Sequence, residues 1–288
     1  MTRKRTVQTA RTLESALAYL HTHGRETTVL AGGTDLMVGL QMQPSLSGHF
    51  LNIWGLDDLR GIRLEENELV VGALSTHREI LESSLVATHL PALAQSARTV
   101  GARQIQNRGT LGGNLANASP AADTAPVLLA ADASVELVSQ TGRRRVALDD
   151  FFLGYKQIAR RPDELLAAIR CPVQTKDHLD FFCKVGTRRA QAISKVVIGA
   201  RARFAPDGSI AEARLALGSV AATTVRLPKT EQLLQGGTPN TGLAIAAAQT
   251  ARQEITPIDD VRSTADYRRQ VTGNLAARFV RFLEGNRA

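Results

Sequence analysis

The feature that most constrains this chain is a pair of glycine-rich turns, each set beside an apolar segment. The first, Ala31-Gly32-Gly33-Thr34-Asp35-Leu36, runs out of the short apolar stretch Thr28-Val29-Leu30-Ala31. The second is Gly109-Thr110-Leu111-Gly112-Gly113-Asn114. A glycine at a strand end lets the backbone turn sharply and approach a ligand, because no Cβ stands in the way. Exposed amides in such a turn, close to a helix start, form a cradle for phosphate oxygens. Each turn alone also fits a plain strand-to-helix connection. Two in one domain fit a dinucleotide with a long pyrophosphate. Neither is the G-x-G-x-x-G fingerprint, nor a P-loop, because no Gly-Lys-Ser/Thr follows. Asp123, soon after the second turn, reads either as an acceptor for a ribose or ribityl hydroxyl or as a cap for the helix that follows.

Other chemistry has little support. There is no G-x-S-x-G elbow, and the six histidines show no HExxH spacing. Two cysteines, Cys171 and Cys183, cannot supply the four thiolates of a typical iron–sulfur cluster. They also argue against a disulfide framework and for a reducing cytoplasm. The basic start, Met1 to Thr9, has no apolar stretch behind it and does not read as a secretory signal. No apolar run approaches the ~18 residues of a membrane span. The net charge of +8 attracts anions, from nucleic acid to nucleotides to an acidic partner. With aromatics at 4% and basic residues scattered, a solvated basic surface is the simpler reading and nucleic-acid binding is not expected.

At 288 residues the chain has room for one or two domains. Leu13, Ala16, Leu17 and Leu20 recur at helical spacing over 12–23, with Thr12 as a cap and Gly24 at the stop. Strands are predicted at 28–31 and 50–54, and a hairpin at 62–71. Ser75 is expected to cap a helix through Leu81, and Pro91 to open one towards Val100. The polar, glycine-rich stretch from Gly101 to Pro120 reads as functional or mobile. A helix around 121–131 and strands at 134–138, 145–148 and 164–170 complete the first part. The polar segment Gln174–Asp180 is the expected domain boundary. Beyond it, strands at 181–185, 196–204 and 211–217 precede helices at 229–234, 242–253 and 264–283. Strands followed by helices predict an α+β unit: a three-stranded antiparallel sheet with helices packed on it.

Taken together, Ala31–Leu36, Thr110–Asn114, Ser119-Pro120-Ala121-Ala122-Asp123, Lys184–Ser194 and Asp266-Tyr267-Arg268 resemble the FAD-binding medium subunit of molybdenum hydroxylases. That family includes the flavoprotein subunits of xanthine dehydrogenase and carbon monoxide dehydrogenase. The resemblance covers nearly the whole chain. It implies an FAD-binding domain of the vanillyl-alcohol-oxidase type over 1–174, with two α/β subdomains at about 1–56 and 57–174. A small C-terminal α+β domain of the CO-dehydrogenase flavoprotein type would follow over 175–288. It implies that Leu30, Ala31, Gly32, Gly33, Thr34, Asp35, Leu36 and Met37, with Thr110, Leu111, Gly112, Gly113 and Asn114, hold the pyrophosphate, mainly by backbone amides. Asp123 would bond the ribityl or ribose region, Leu166 would pack against the cofactor, and Lys184 would lie near the isoalloxazine unless it is a solvated strand lysine. Val100 matches an FAD-contacting position that is aromatic in some members. Arg188 and Arg189 would face an acidic partner or acceptor, or be plain surface charge.

The implied function is an electron relay within an oxidoreductase. A large molybdopterin subunit would hydroxylate the substrate, and a small subunit with [2Fe–2S] clusters would pass electrons to FAD. NAD+ or another acceptor would take them, in a cytoplasmic dimer of heterotrimers. The competing readings are a stand-alone flavin reductase of related fold and a non-enzymatic nucleotide-binding module.

Overall fold

The computed structural model describes residues 5–42, 48–173 and 177–287. The first layer is a small parallel sheet built as two β–α–β crossovers. It contains β1 (Arg5–Thr9), α1 (Leu13–His23), β2 (Thr27–Leu30), α2 (Leu36–Met42) and β3 (Gly48–Asn52), in strand order β1-β3-β2. Thr12 and Ser15 form a reciprocal capping box that starts α1. Ala16, Leu17 and Leu20 bury one face of α1 in a cluster with Leu51, Ile53 and Leu165. β1 is exposed along its whole length, so it carries no apolar alternation for the sequence to display.

The second layer is antiparallel. Its elements are β4 (Ile62–Glu65), β5 (Glu68–Gly72), α3 (His77–Glu82), α4 (Ser84–His89), α5 (Pro91–Arg98), α6 (Arg103–Gln106), α7 (Leu111–Ala116), α8 (Ala125–Ala130), β6 (Ser134–Ser139), β7 (Gly142–Ala147), α9 (Leu148–Phe151), β8 (Phe152–Gly154), β9 (Gln157–Ile158) and β10 (Leu165–Pro172). The main sheet runs β4-β5-β10-β6-β7, and β8 and β9 form a separate ribbon. Helices bury apolar residues against the sheet around Leu93, Leu111, Leu115, Leu128 and Ile169. Arg170, Glu136 and Arg143 form a cross-strand charge ladder, with Arg170 Nε 2.6 Å from Glu136. The basic run Arg143-Arg144-Arg145 is therefore paired residue by residue, with Glu136, Glu164 and Glu68.

One local expectation shifts. Thr76, not Ser75, caps α3: its hydroxyl accepts from Glu79 N, and Glu79 returns a bond to Thr76 N at 2.6 Å. The Ser75 hydroxyl instead donates to Gly61 O at 3.1 Å. The stretch 101–120 holds α6 and α7.

The expected boundary at Gln174–Asp180 falls partly on 174–176, outside the described residues. After it come β11 (His178–Gly186), β12 (Ser194–Phe204), β13 (Ile210–Gly218), β14 (Val225–Arg226), α10 (Pro228–Leu234), α11 (Thr241–Gln253) and α12 (Ala265–Gly285). The sheet is antiparallel, but it has four strands rather than three, in the order β11-β12-β13-β14. β14 is two residues long and pairs only at Ala216 and Leu217, too short for a strand pattern to register. Phe279, Val280 and Leu283 of α12 and Ala244, Ala247 and Ala251 of α11 close its core.

Candidate functional site

The two glycine turns lie against each other. The parallel sheet delivers the first at the end of β2, where Gly33 takes a left-handed φ of +77° that glycine adopts without strain. Met37 N then bonds Gly33 O and Gly39 N bonds Asp35 O, both at 3.0 Å, which starts α2. The antiparallel sheet delivers the second turn. There His77 N bonds Gly109 O, and Leu111 N bonds Ser75 O, each at 3.0 Å. A Cβ built on Gly32 would lie 1.6 Å from Arg108 O, and one on Gly109 would lie 3.4 Å from Thr34 Oγ1. The missing side chains thus let two loops from different sheets close into one surface. Among the described residues, no protein acceptor bonds the amides of Gly32, Gly33 or Thr34.

The second turn divides its labour. Thr110 caps α7 by accepting from Gly113 N at 3.1 Å. Gly112 faces inward: its amide bonds Ala73 O at 2.9 Å, and a Cβ there would meet Ala73 Cβ at 2.6 Å. Leu111 is buried as well, so its side chain serves the core. Gly113 is exposed, and Asn114 is oriented by Thr124 Oγ1, which donates to its Oδ1 at 2.6 Å. Ala73 N bonds Ala167 O at 2.9 Å, which sets buried Leu166 one residue from the strand position beneath Gly112. Val100 is half-buried at the end of α5 and accepts from Gln106 Nε2 at 3.2 Å.

Asp123 and Lys184 form a buried clasp between the two parts of the chain. Lys184 Nζ lies 2.5 Å from Asp123 Oδ2 and 3.2 Å from Thr99 O. Ser194 Oγ donates to the other Asp123 oxygen, and Thr99 Oγ1 lies 3.3 Å from Oδ2. Asp123 is therefore not a helix cap, and Lys184 is not solvated. Burial pushes the Asp123 carboxyl above its ordinary value, while the Lys184 ammonium and the hydroxyls of Ser194 and Thr99 oppose that. Next to the clasp, Ser219 N bonds Pro120 O at 2.7 Å. A Cβ on Gly199 would strike Val127 N at 2.5 Å, so α8 seats directly on β12. Arg188 and Arg189 lie on the exposed loop beyond β11, where Arg188 Nε bonds Ala190 O at 3.0 Å.

Three contacts of the site join residues that no motif pairs. Trp54, just past β3, is flanked by Arg108 at 3.8 Å and Arg60 at 4.5 Å from its ring centre. The His77 imidazole abuts Gly109. Ser194 completes the clasp from 71 residues away. Among the described residues no cluster of His, Cys, Asp or Glu is placed to hold a metal. Cys171 is buried and its thiol is pushed up to about 12. No described helix is long and apolar enough to cross a membrane.

The joined loops fit an FAD diphosphate: free amides from the first turn, a capped helix start in the second, and no Cβ at Gly32 where the loops touch. Comparison with known proteins agrees. Residues 3–174 match the family model of the FAD binding domain in molybdopterin dehydrogenase, and residues 181–283 match the CO dehydrogenase flavoprotein C-terminal domain. The chain therefore belongs to the FAD-binding flavoprotein subunits of the molybdenum hydroxylase family, and it is an oxidoreductase subunit. Within that family it is 33% identical to the xanthine dehydrogenase FAD-binding subunit of Escherichia coli O157:H7, over 84% of each chain. It is 32% identical to the caffeine dehydrogenase subunit beta of a Pseudomonas species, over 93% of this chain and 90% of the other. A solved chain of carbon monoxide dehydrogenase from Hydrogenophaga pseudoflava superposes with a TM-score of 0.94, at 28% identity and complete coverage of both chains.

Proposed function

We propose that this chain is the flavin relay of a molybdenum hydroxylase complex. Electrons would reach it from the [2Fe–2S] clusters of a small partner subunit and leave to NAD+ or another acceptor. A large molybdopterin subunit would carry out the hydroxylation, in a dimer of heterotrimers. The observation that carries this reading is the closure of the two glycine loops at Gly32 and Arg108, beside the buried Asp123–Lys184 clasp. FAD would supply the redox chemistry, taking up and releasing electrons.

In this reading residues 1–174 bind the cofactor and residues 175–288 complete the site through Lys184. The backbone from Leu30 to Met37 and from Thr110 to Asn114 surrounds the pyrophosphate. Gly112 acts indirectly, by seating α7 on Ala73. An ionised carboxylate has about four acceptor positions. Asp123 gives two of them to Lys184 and Ser194 and a third to Thr99, whose hydroxyl hydrogen is shared with Ser96 O at 2.8 Å. One remains for a ribityl or ribose hydroxyl. Val100 and Leu166 border the flavin end. The exposed Arg188 and Arg189 give an anionic acceptor such as NAD+ a cationic rim.

The test is anaerobic reduction of the chain co-purified with its partners. The relay predicts about one FAD per chain, bleaching of the flavin after cluster reduction by substrate, and reoxidation by the acceptor. Clusters that pass electrons to the acceptor while the flavin stays oxidised would refute it.

A further inference from the structure

His77 has a buried ring with no hydrogen-bond partner among the described residues. It opens α3 and is 1% exposed. Its Nδ1 is sealed and has no hydrogen-bond partner among the described residues. A buried N–H without an acceptor costs free energy, so Nδ1 is the costly place for the ring hydrogen. The ring lies at the seam of the two loops. A Cβ on Gly109 would sit 3.2 Å from His77 Cδ2 and 3.4 Å from Thr34 Oγ1, so the imidazole edge and the Thr34 hydroxyl converge on one glycine. The His77 backbone amide bonds Gly109 O at 3.0 Å, which holds the residue there. Cδ2, the ring atom that meets Gly109, is bonded to Nε2, and Nε2 is not sealed as Nδ1 is. Nδ1 lies across the ring.

Burial pushes the imidazole down to about 4, so it is neutral at physiological pH and carries one N–H. At Nδ1 that hydrogen would have no acceptor. At Nε2 it would be next to the ring atom that meets Gly109, on the side of the seam. Diphosphate oxygens only accept hydrogen bonds, so a donor at the seam complements them.

We propose that His77, as the Nε2–H tautomer, donates a hydrogen bond to the diphosphate of FAD where the two glycine loops meet. This rests on the assignment of those loops to FAD. It adds a side-chain donor to a cradle otherwise made of backbone amides.

The test is FAD and riboflavin titration of the full apo chain, as wild type, His77→Gln and His77→Leu. A hydrogen bond to a charged phosphate is expected to be worth about 10- to 100-fold in affinity. His77→Leu should weaken FAD by that factor. His77→Gln keeps an amide N–H at similar reach and should stay within about threefold of wild type. Riboflavin has no phosphate, and its binding should change less than twofold in either variant. Equal losses for FAD and riboflavin would show a merely structural role, and unchanged FAD binding by His77→Leu would also overturn the proposal. Ring-15N spectra of the wild-type chain provide a test that needs no variant. The Nε2-protonated form should be present, and its resonance should move with FAD but not with riboflavin. An Nδ1-protonated ring, or no response to FAD, would refute the assignment. If the wild-type chain binds riboflavin but not FAD, the loop assignment fails as well. If it binds FAD and His77→Leu binds it equally, only the role of His77 fails.

Discussion

Gly32 shows how little space the loop junction leaves. Its missing Cβ would overlap the Arg108 carbonyl, a backbone atom that cannot rotate away. We expect Gly32→Ala to force the loops apart, at a cost of at least about 1–3 kcal/mol, and to lower FAD retention at least tenfold. Gly39, in the middle of α2, has nothing within 4 Å of its would-be Cβ. Gly39→Ala should instead gain about 0.5–1 kcal/mol from helix propensity and leave flavin content unchanged. Urea unfolding with released-flavin assay separates the two. His77 adds a pH signature. Its folded value of about 4 lies below the ordinary 6.5, so its contribution is complete above pH 6.5 and is lost as pH falls towards 4. Over that window the unfolded chain takes up a proton that the folded chain refuses, worth on the order of 3 kcal/mol in full. His77→Gln cannot titrate, so the wild type should lose more stability than the variant between pH 7 and 4.5. Parallel curves would contradict this.

At the scale of elements the clasp dominates. Lys184 on β11 and Asp123 ahead of α8 are both nearly sealed from water. Lys184→Met would leave a buried carboxylate without its cation, at an expected cost of about 3–5 kcal/mol. Asp123→Asn on that background should recover part of the loss, and a double-mutant cycle in urea measures the coupling. None of this pairing was legible in the sequence. Asp123 and Lys184 are 61 residues apart, and a lysine in an alternating strand looks solvated until the partner sheet is in place. What could be read was local: the cap of α1, the β4–β5 hairpin, and the long strands after residue 177. Elements made by tertiary contact were hidden. α7 has the helix-poor sequence Leu-Gly-Gly-Asn-Leu-Ala and forms because Thr110 caps it and Ala73 leaves room for Gly112. The two glycine turns were visible as motifs, but their contact through Arg108 was not, because the two turns belong to different sheets.

For the whole molecule, the clasp and the α8–β12 seat predict that the two parts unfold together. Calorimetry should show one transition for the wild type and two for Lys184→Met. FAD at 100 times its dissociation constant should stabilise the wild type by about 2.7 kcal/mol. If the cationic rim assists an anionic acceptor, acceptor turnover should fall as ionic strength shortens the Debye length below about 8 Å. A rate independent of salt would remove that role. Trp54 has one more consequence. It is the only tryptophan of the chain, and it is flanked by Arg60 and by Arg108, the same residue whose carbonyl rests against Gly32. Its emission is therefore a built-in optical gauge of the loop junction. Colour and lifetime will respond when Arg108 shifts, so the seating of the cofactor can be followed in real time, in the unmodified protein, without any attached label.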